Sequence, residues 1–241
     1  MADPLSTYQL GNIVNITRGR DHILSGKIIR QLLVNSPKNA CRVVVIEVLN
    51  VNPKLPEDKR PPPSVVANAS VVAKVYDHRF LWDVNNIKPK YPSNHPRKLC
   101  RRERAAYESL GKSGTVNEYL APYHGRYTFT CDGDTDEYPT ILLGFFEKGF
   151  CPKGRLSREA ADRLVKDLKP VIEECHRLGF THGDLQARNL LVKSTKGDFI
   201  ILDWANSINV ADWSPELFND ECRGDMDRLK DLAKELISTS T

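Results

Sequence analysis

The sequence predicts an α+β fold, strand-rich through about residue 143 and mainly helical after it. Three features predict it. Apolar residues come in short, β-branched runs in the first half, as in ILSGKIIRQLLV and CRVVVIEVLNV. In the second half, LSREAADRLVKDLKPVIEECHRLGF repeats its apolar positions at helical spacing. Between the two lies YPTILLGFFEKGF, which reads as a buried strand running into a connection.

Residues 1–22 carry few apolar positions and predict an irregular leader or one short helix. From Ile23 the two β-rich runs, separated by NSPKNA, predict a hairpin whose turn holds no glycine. The proline-rich NPKLPEDKRPPPS then reads as a solvated linker between strands. VVAKVYD is an alternating strand with Lys74 in its middle, a position that leaves the ammonium either paired or snorkelling from an edge. After an insertion with prolines at 89, 92 and 96, KLCRRERAAYESL predicts a helix carrying Glu103 near its start and Glu108 further along. The long amphipathic stretch predicts a helix with Ser157 as N-cap and Gly179 as its C′ residue. Its stripe is Ala161, Leu164, Val165, Leu168, Ile172, Cys175 and Leu178, and Pro170 should kink it or split it. DMDRLKDLAKELI predicts the last helix.

The chemistry gathers where this helix ends. His182 to Asn189 reads HGDLQARN, with Asp184 and Asn189 five positions apart, and FIILDWA brings Asp203 to the end of an apolar strand. A carboxylate beside an attacking hydroxyl, oxygen ligands for Mg²⁺ and a cation on the phosphates are the parts phosphoryl transfer needs. Asp184, Asn189, Asp203 and Lys74 are those residue types. Taken alone, Asp184 could equally be a turn aspartate.

VVAKVYD, Glu103, HGDLQARN and DWA follow the order of the protein-kinase signatures V-A-I-K, helix glutamate, H-R-D-L-x-x-x-N and D-F-G. The chain resembles the protein-kinase-like superfamily over roughly residues 24 to 236. HGD in place of HRD is the spelling of atypical, small-molecule and fungal kinase-like members, whereas LQARN is similar to the tyrosine-kinase loop. The resemblance implies a two-lobed fold, with a β-rich N-lobe over residues 23–143 and a short, mainly helical C-lobe over 144–241. It implies ATP and Mg²⁺ as cofactors. Asp184 would be the catalytic base, with Arg188 adding positive charge near the transferred group, and Asn189 and Asp203 the metal ligands. Lys74 would bind phosphates, positioned by Glu103, with Glu108 a weaker substitute. Backbone groups around Gly144 and Phe146 would meet the adenine, unless they are simply a core strand and a turn. His182 would prop the loop, Trp204 would pack as core, and Ser214, Pro215 and Glu216 would stand for A-P-E. The expected partners are the nucleotide and a hydroxyl-bearing protein or small molecule. The glycine-free turn keeps open a pseudokinase that serves as a binding or scaffolding module.

Other classes find little support. A net charge of +4 is small for this length, and the cluster Arg97, Lys98, Arg101, Arg102 and Arg104 reads as a solvated helix face, which argues against nucleic acid. Six scattered cysteines without a C-x-x-C pair fit reduced thiols. The lack of a long apolar run or a secretory signal leads us to expect no membrane partner and a cytoplasmic or nuclear location.

Overall fold

The computed structural model describes residues 7–32, 41–81, 95–132, 136–193 and 198–237. By contacts the chain divides into two compact units, Met1–Cys100 with Pro122–Phe145, and Arg101–Ala121 with Phe146–Thr241.

The first unit is a closed antiparallel barrel. Its strands are β1 (Ile13–Arg18), β2 (Asp21–Gln31), β3 (Arg42–Val51), β4 (Ser70–Val75), β5 (Tyr123–Cys131) and β6 (Tyr138–Gly144), in the spatial order β1-β2-β3-β4-β6-β5 and back to β1. Inward residues alternate along each strand as the pleat requires: Val14 and Ile16, Val44 and Ile46, Ala73 and Val75, all at or near zero exposure. Tyr8, Phe129 and Tyr138 complete the core.

The leader expectation needs correcting from Ile13 onward, because that stretch is β1. It offers only two fully inward residues, too few for a periodicity signal. Its stability comes from pairing on both sides, with β2 (Asn15 opposite Ser25) and with β5 (Asn15 opposite Thr130). The β2–β3 hairpin forms as expected, and its NSPKNA turn lies outside the described residues.

β4 is an interior strand. Lys74 lies opposite Val43 on one side and Ile141 on the other, and is 4% exposed. The snorkelling edge lysine is thereby excluded.

A network ties the chain's start to the end of β4. Asp77, fully buried, accepts from the Tyr8 hydroxyl at 2.9 Å and from the Arg79 guanidinium at 2.8–3.1 Å. The same guanidinium reaches Thr7 Oγ1 at 3.2 Å and stacks over the Tyr138 ring. Burial, then the Asp77 charge, raises the Tyr8 phenol well above its ordinary range.

Helix α1 (His95–Leu110) follows, its first six residues grouping with the barrel and the remainder with the second unit. Of its basic cluster, Arg97, Lys98 and Arg101 are exposed and Arg102 and Arg104 half-buried. The second unit continues with α2 (Arg158–Arg177), the two-stranded hairpin of β7 (Leu190–Val192) and β8 (Phe199–Ile201), and α3 (Pro215–Leu236). α2 is capped as predicted, Ser157 accepting from the Ala160 N–H at 3.3 Å, and Gly179 takes the left-handed conformation past its end (φ 83°). The split at Pro170 does not occur. α2 remains one 20-residue helix with that proline on its exposed face. α3 begins ten residues before the predicted DMDRLK start, since Ser214 is its N-cap and Pro215 its first residue. Among the described residues, no helix is long and apolar enough to cross a membrane.

Candidate active site

The candidate site is built in the second unit by the segment between α2 and α3. Past Gly179, the Phe180 N–H returns to the Cys175 carbonyl at 2.9 Å, and Thr181 exchanges bonds with Ile208 (backbone N–H to O 3.0 Å, Oγ1 from N–H 3.2 Å). These contacts set where the loop begins. Phe180 and Leu185, both buried, anchor its apolar side.

His182 is held at its main-chain N–H and at both ring nitrogens. Its backbone N–H donates to Asp225 Oδ2 at 2.7 Å, its Nε2 lies 2.9 Å from the Leu202 carbonyl, and its Nδ1 accepts the Asp184 N–H at 3.2 Å. A carbonyl can only accept and an amide N–H can only donate, so these partners select the neutral Nε2–H tautomer. Complete burial agrees, lowering the imidazole's pKa against the opposing pull of Asp225, Asp203 and Asp184. The ring packs at 4.7 Å from that of Trp204, which is fully buried with its indole N–H unpartnered. His182 is therefore a prop, and Trp204 is core.

Gly183 bends the chain with φ 74°, and an added Cβ there would lie 2.5 Å from the Asn206 carbonyl oxygen. Its N–H donates to Asp225 Oδ1 at 3.0 Å. Asp184 follows, its side chain 15% exposed. Oδ1 accepts from Gln186 Nε2 at 2.6 Å and Arg188 Nη2 at 3.2 Å; Oδ2 accepts from Arg188 Nη2 at 2.8 Å and Asn189 Nδ2 at 3.1 Å. Arg188 also donates to Gln186 Oε1, so the three side chains close a ring.

Asn189, buried, spends Nδ2 on the Asp184 carboxylate and carbonyl, the latter at 2.8 Å. Its Oδ1 is thus the atom with ligand capacity. The hairpin register brings Asp203 near: Leu190 pairs with Ile201, and the Leu202 N–H donates to the Asn189 carbonyl at 2.8 Å. Asn189 and Asp203 accordingly flank the same end of β7–β8. Asp203 adopts a left-handed conformation (φ 64°, ψ 66°), uncommon outside glycine, and turns the chain from β8 into Trp204–Asn206. Among the described residues no three His, Cys, Asp or Glu converge as a metal cage. An amide oxygen and a carboxylate are nonetheless the hard donors Mg²⁺ takes, and they suit the short protein share of a shell that phosphates and water complete.

Of the remaining predicted residues, Glu103 is fully buried in the second unit and Lys74 is carried by the first. Glu108 is exposed and paired with Arg104 at 2.8 Å along the helix. The Gly144 N–H donates to the Pro122 carbonyl at 2.8 Å, and the Phe146 carbonyl accepts from Gly149 at 3.2 Å. A cavity of about 300 Å³ in the first unit, lined by Tyr76, His78, Pro96, Arg97 and Glu137, contains none of the site residues.

Three contributors escaped sequence reasoning. Asp225, 1% exposed, holds His182, Gly183 and, at 3.0 Å, His176 Nε2. The signal was there: with Leu229, Leu232 and Leu236 it lies on the buried stripe of α3, where a carboxylate needs a reason. Glu235, which accepts the Ala187 N–H at 3.0 Å, and Gln186 carried no comparable mark.

No known family profile matches this chain. Calcium-dependent protein kinase 11 of Arabidopsis thaliana is 27% identical over 105 residues, 42% of this chain and only 21% of that protein. Among solved structures, vaccinia related kinase 3 superposes with a TM-score of 0.57 at 11% identity, covering 95% of this chain and 68% of the other. The kinase domain PF14_0431 does so with a TM-score of 0.54 at 12% identity, covering 89% and 64%.

Proposed function

We propose that this chain, whose fold is protein-kinase-like, is an ATP- and Mg²⁺-dependent phosphotransferase acting on a hydroxyl of a protein or a small molecule. The observation that carries the reading is the convergence of Asp184, Asn189 and Asp203 at one end of the β7–β8 hairpin, over a loop that Asp225 holds by two backbone N–H groups. Such a scaffold makes sense where geometry must be kept, since positioning and electrostatics supply most of the catalysis in phosphoryl transfer.

In this reading Asp184 receives the hydroxyl proton, and Asn189 Oδ1 and the Asp203 carboxylate hold Mg²⁺, which when bound neutralises charge on the triphosphate. Lys74 takes the phosphates.

A second reading, a pseudokinase that binds without turnover, is favoured by the crowding of donors on Asp184. Two measurements decide. ATP with Mg²⁺ should raise the melting temperature, because a ligand specific to the folded state stabilises it, and Asp203→Ala should abolish the shift. Transfer of the γ-phosphate to a panel of proteins and metabolites should be lost in Asp184→Asn. A shift without transfer to any acceptor favours the pseudokinase, and no shift at millimolar nucleotide removes the kinase reading.

A further inference from the structure

Resting on that phosphotransferase reading, we infer that the acceptor is a hydroxyl compound carrying an anionic group, a phosphate or carboxylate, close to the hydroxyl it offers. The inference starts from a count. A carboxylate presents about four acceptor positions, and on Asp184 the chain's own loop fills four, with Gln186 and Arg188 on Oδ1 and Arg188 and Asn189 on Oδ2. No position remains for an incoming hydroxyl, so one donor must leave before Asp184 can act as a base.

Which donor leaves follows from how each is held. Asn189 is buried and also bonds the Asp184 carbonyl, so moving it dismantles the loop. Gln186 is held at both ends, by the carboxylate and by Arg188. Arg188 alone has a largely exposed side chain, at 58%, and an exposed ion pair is weakly held. Its departure frees a place on each oxygen and releases the far end of Gln186. The chemistry that draws a guanidinium away is another anion, for which its planar fork is well matched.

An acceptor with a nearby phosphate or carboxylate thus opens the site that it uses, whereas a neutral alcohol meets it closed. Once open, the hydroxyl oxygen forms a bond to the γ-phosphorus, the bond from that phosphorus to the β–γ bridging oxygen breaks, ADP leaves, and the hydroxyl proton passes to Asp184.

The test uses the full chain with Mg²⁺ and labelled ATP on matched acceptors: glycerol against glycerol 3-phosphate, and a serine peptide flanked by alanine against one flanked by glutamate. The two pairs distinguish a metabolite from a protein source of the anion. Wild type should favour the anionic member of one pair by about tenfold or more in kcat/KM, the order expected of one hydrogen bond to a charged group. Arg188→Ala should bring the ratio near one and raise transfer to the neutral member. A ratio near one in wild type, or a preference that survives Arg188→Ala, overturns the inference and leaves the phosphotransferase reading standing. No transfer to any acceptor despite an ATP-dependent thermal shift also overturns it, and absence of that shift overturns both.

Discussion

Two buried carboxylates, one in each unit, organise their surroundings by different means. Asp77 in the barrel unit is neutralised by a full charge, the Arg79 guanidinium, with the Tyr8 hydroxyl and the main-chain N–H of Arg79 in support. Asp225 in α3 takes the backbone N–H groups of His182 and Gly183 and the imidazole of His176. Asp77 therefore fastens one side chain of the N-terminal segment and a turn two residues along its own chain, while Asp225 fixes two consecutive main-chain groups of a distant loop, beside Asp184. A side chain can rotate to a new partner when an anchor is lost. Two consecutive main-chain donors cannot do so without moving the loop they belong to.

The comparison fails if the two sites respond alike to mutation. Asp225→Ala should cost about 3 to 5 kcal/mol, because it strands two N–H groups in a poorly hydrated place, and Asp225→Asn about half as much, since one carbonyl oxygen remains. Urea unfolding checks both, and phosphate transfer by the Asn variant should fall further than its stability. Tyr8→Phe should cost less, about 1.5 to 2 kcal/mol, as Arg79 still satisfies Asp77; equal losses at the two sites would break the contrast.

Acid sharpens it further. The folded pKa of His182 lies below its ordinary value of 6.5, so below about pH 6.5 the unfolded chain binds more protons than the folded one. Stability should then fall as pH drops from 7 towards 5. Replacing His182 with Asn should flatten that part of the stability profile, whereas Tyr8→Phe should leave its slope unchanged. The smallest effect belongs to the surface. Lys230→Ala, which removes an exposed pair with Asp227, should leave the urea midpoint unchanged.

What the sequence disclosed divides along similar lines. HGDLQARN and the strand-terminal Asp203 stood out because polar residues of those types gather within about twenty positions of one another, and α2 because its stripe and both caps are local. β1 was not, since its stability depends on partners 10 and 115 residues away, as in the bonds that the Ser25 and Thr130 hydroxyls donate to Asn15. The start of α3 was hidden by a motif, S-P-E, whose letters serve equally well as a helix N-terminus. Asp225 was visible only as an anomaly on an apolar stripe, and its partners are 42 and more residues upstream. The ring of Gln186 and Arg188 around Asp184 depends on rotamers, which spacing does not encode.

The closing of the barrel by β1 reaches beyond packing. A strand lying between β2 and β5 leaves neither with a bare row of main-chain donors and acceptors. Any shortened form that begins after Arg18 would uncover both rows at once, in segments rich in β-branched and aromatic side chains. Such a fragment would be prone to recruit foreign strands, its own copies first, and would come out of expression as aggregate even though every residue of HGDLQARN was intact.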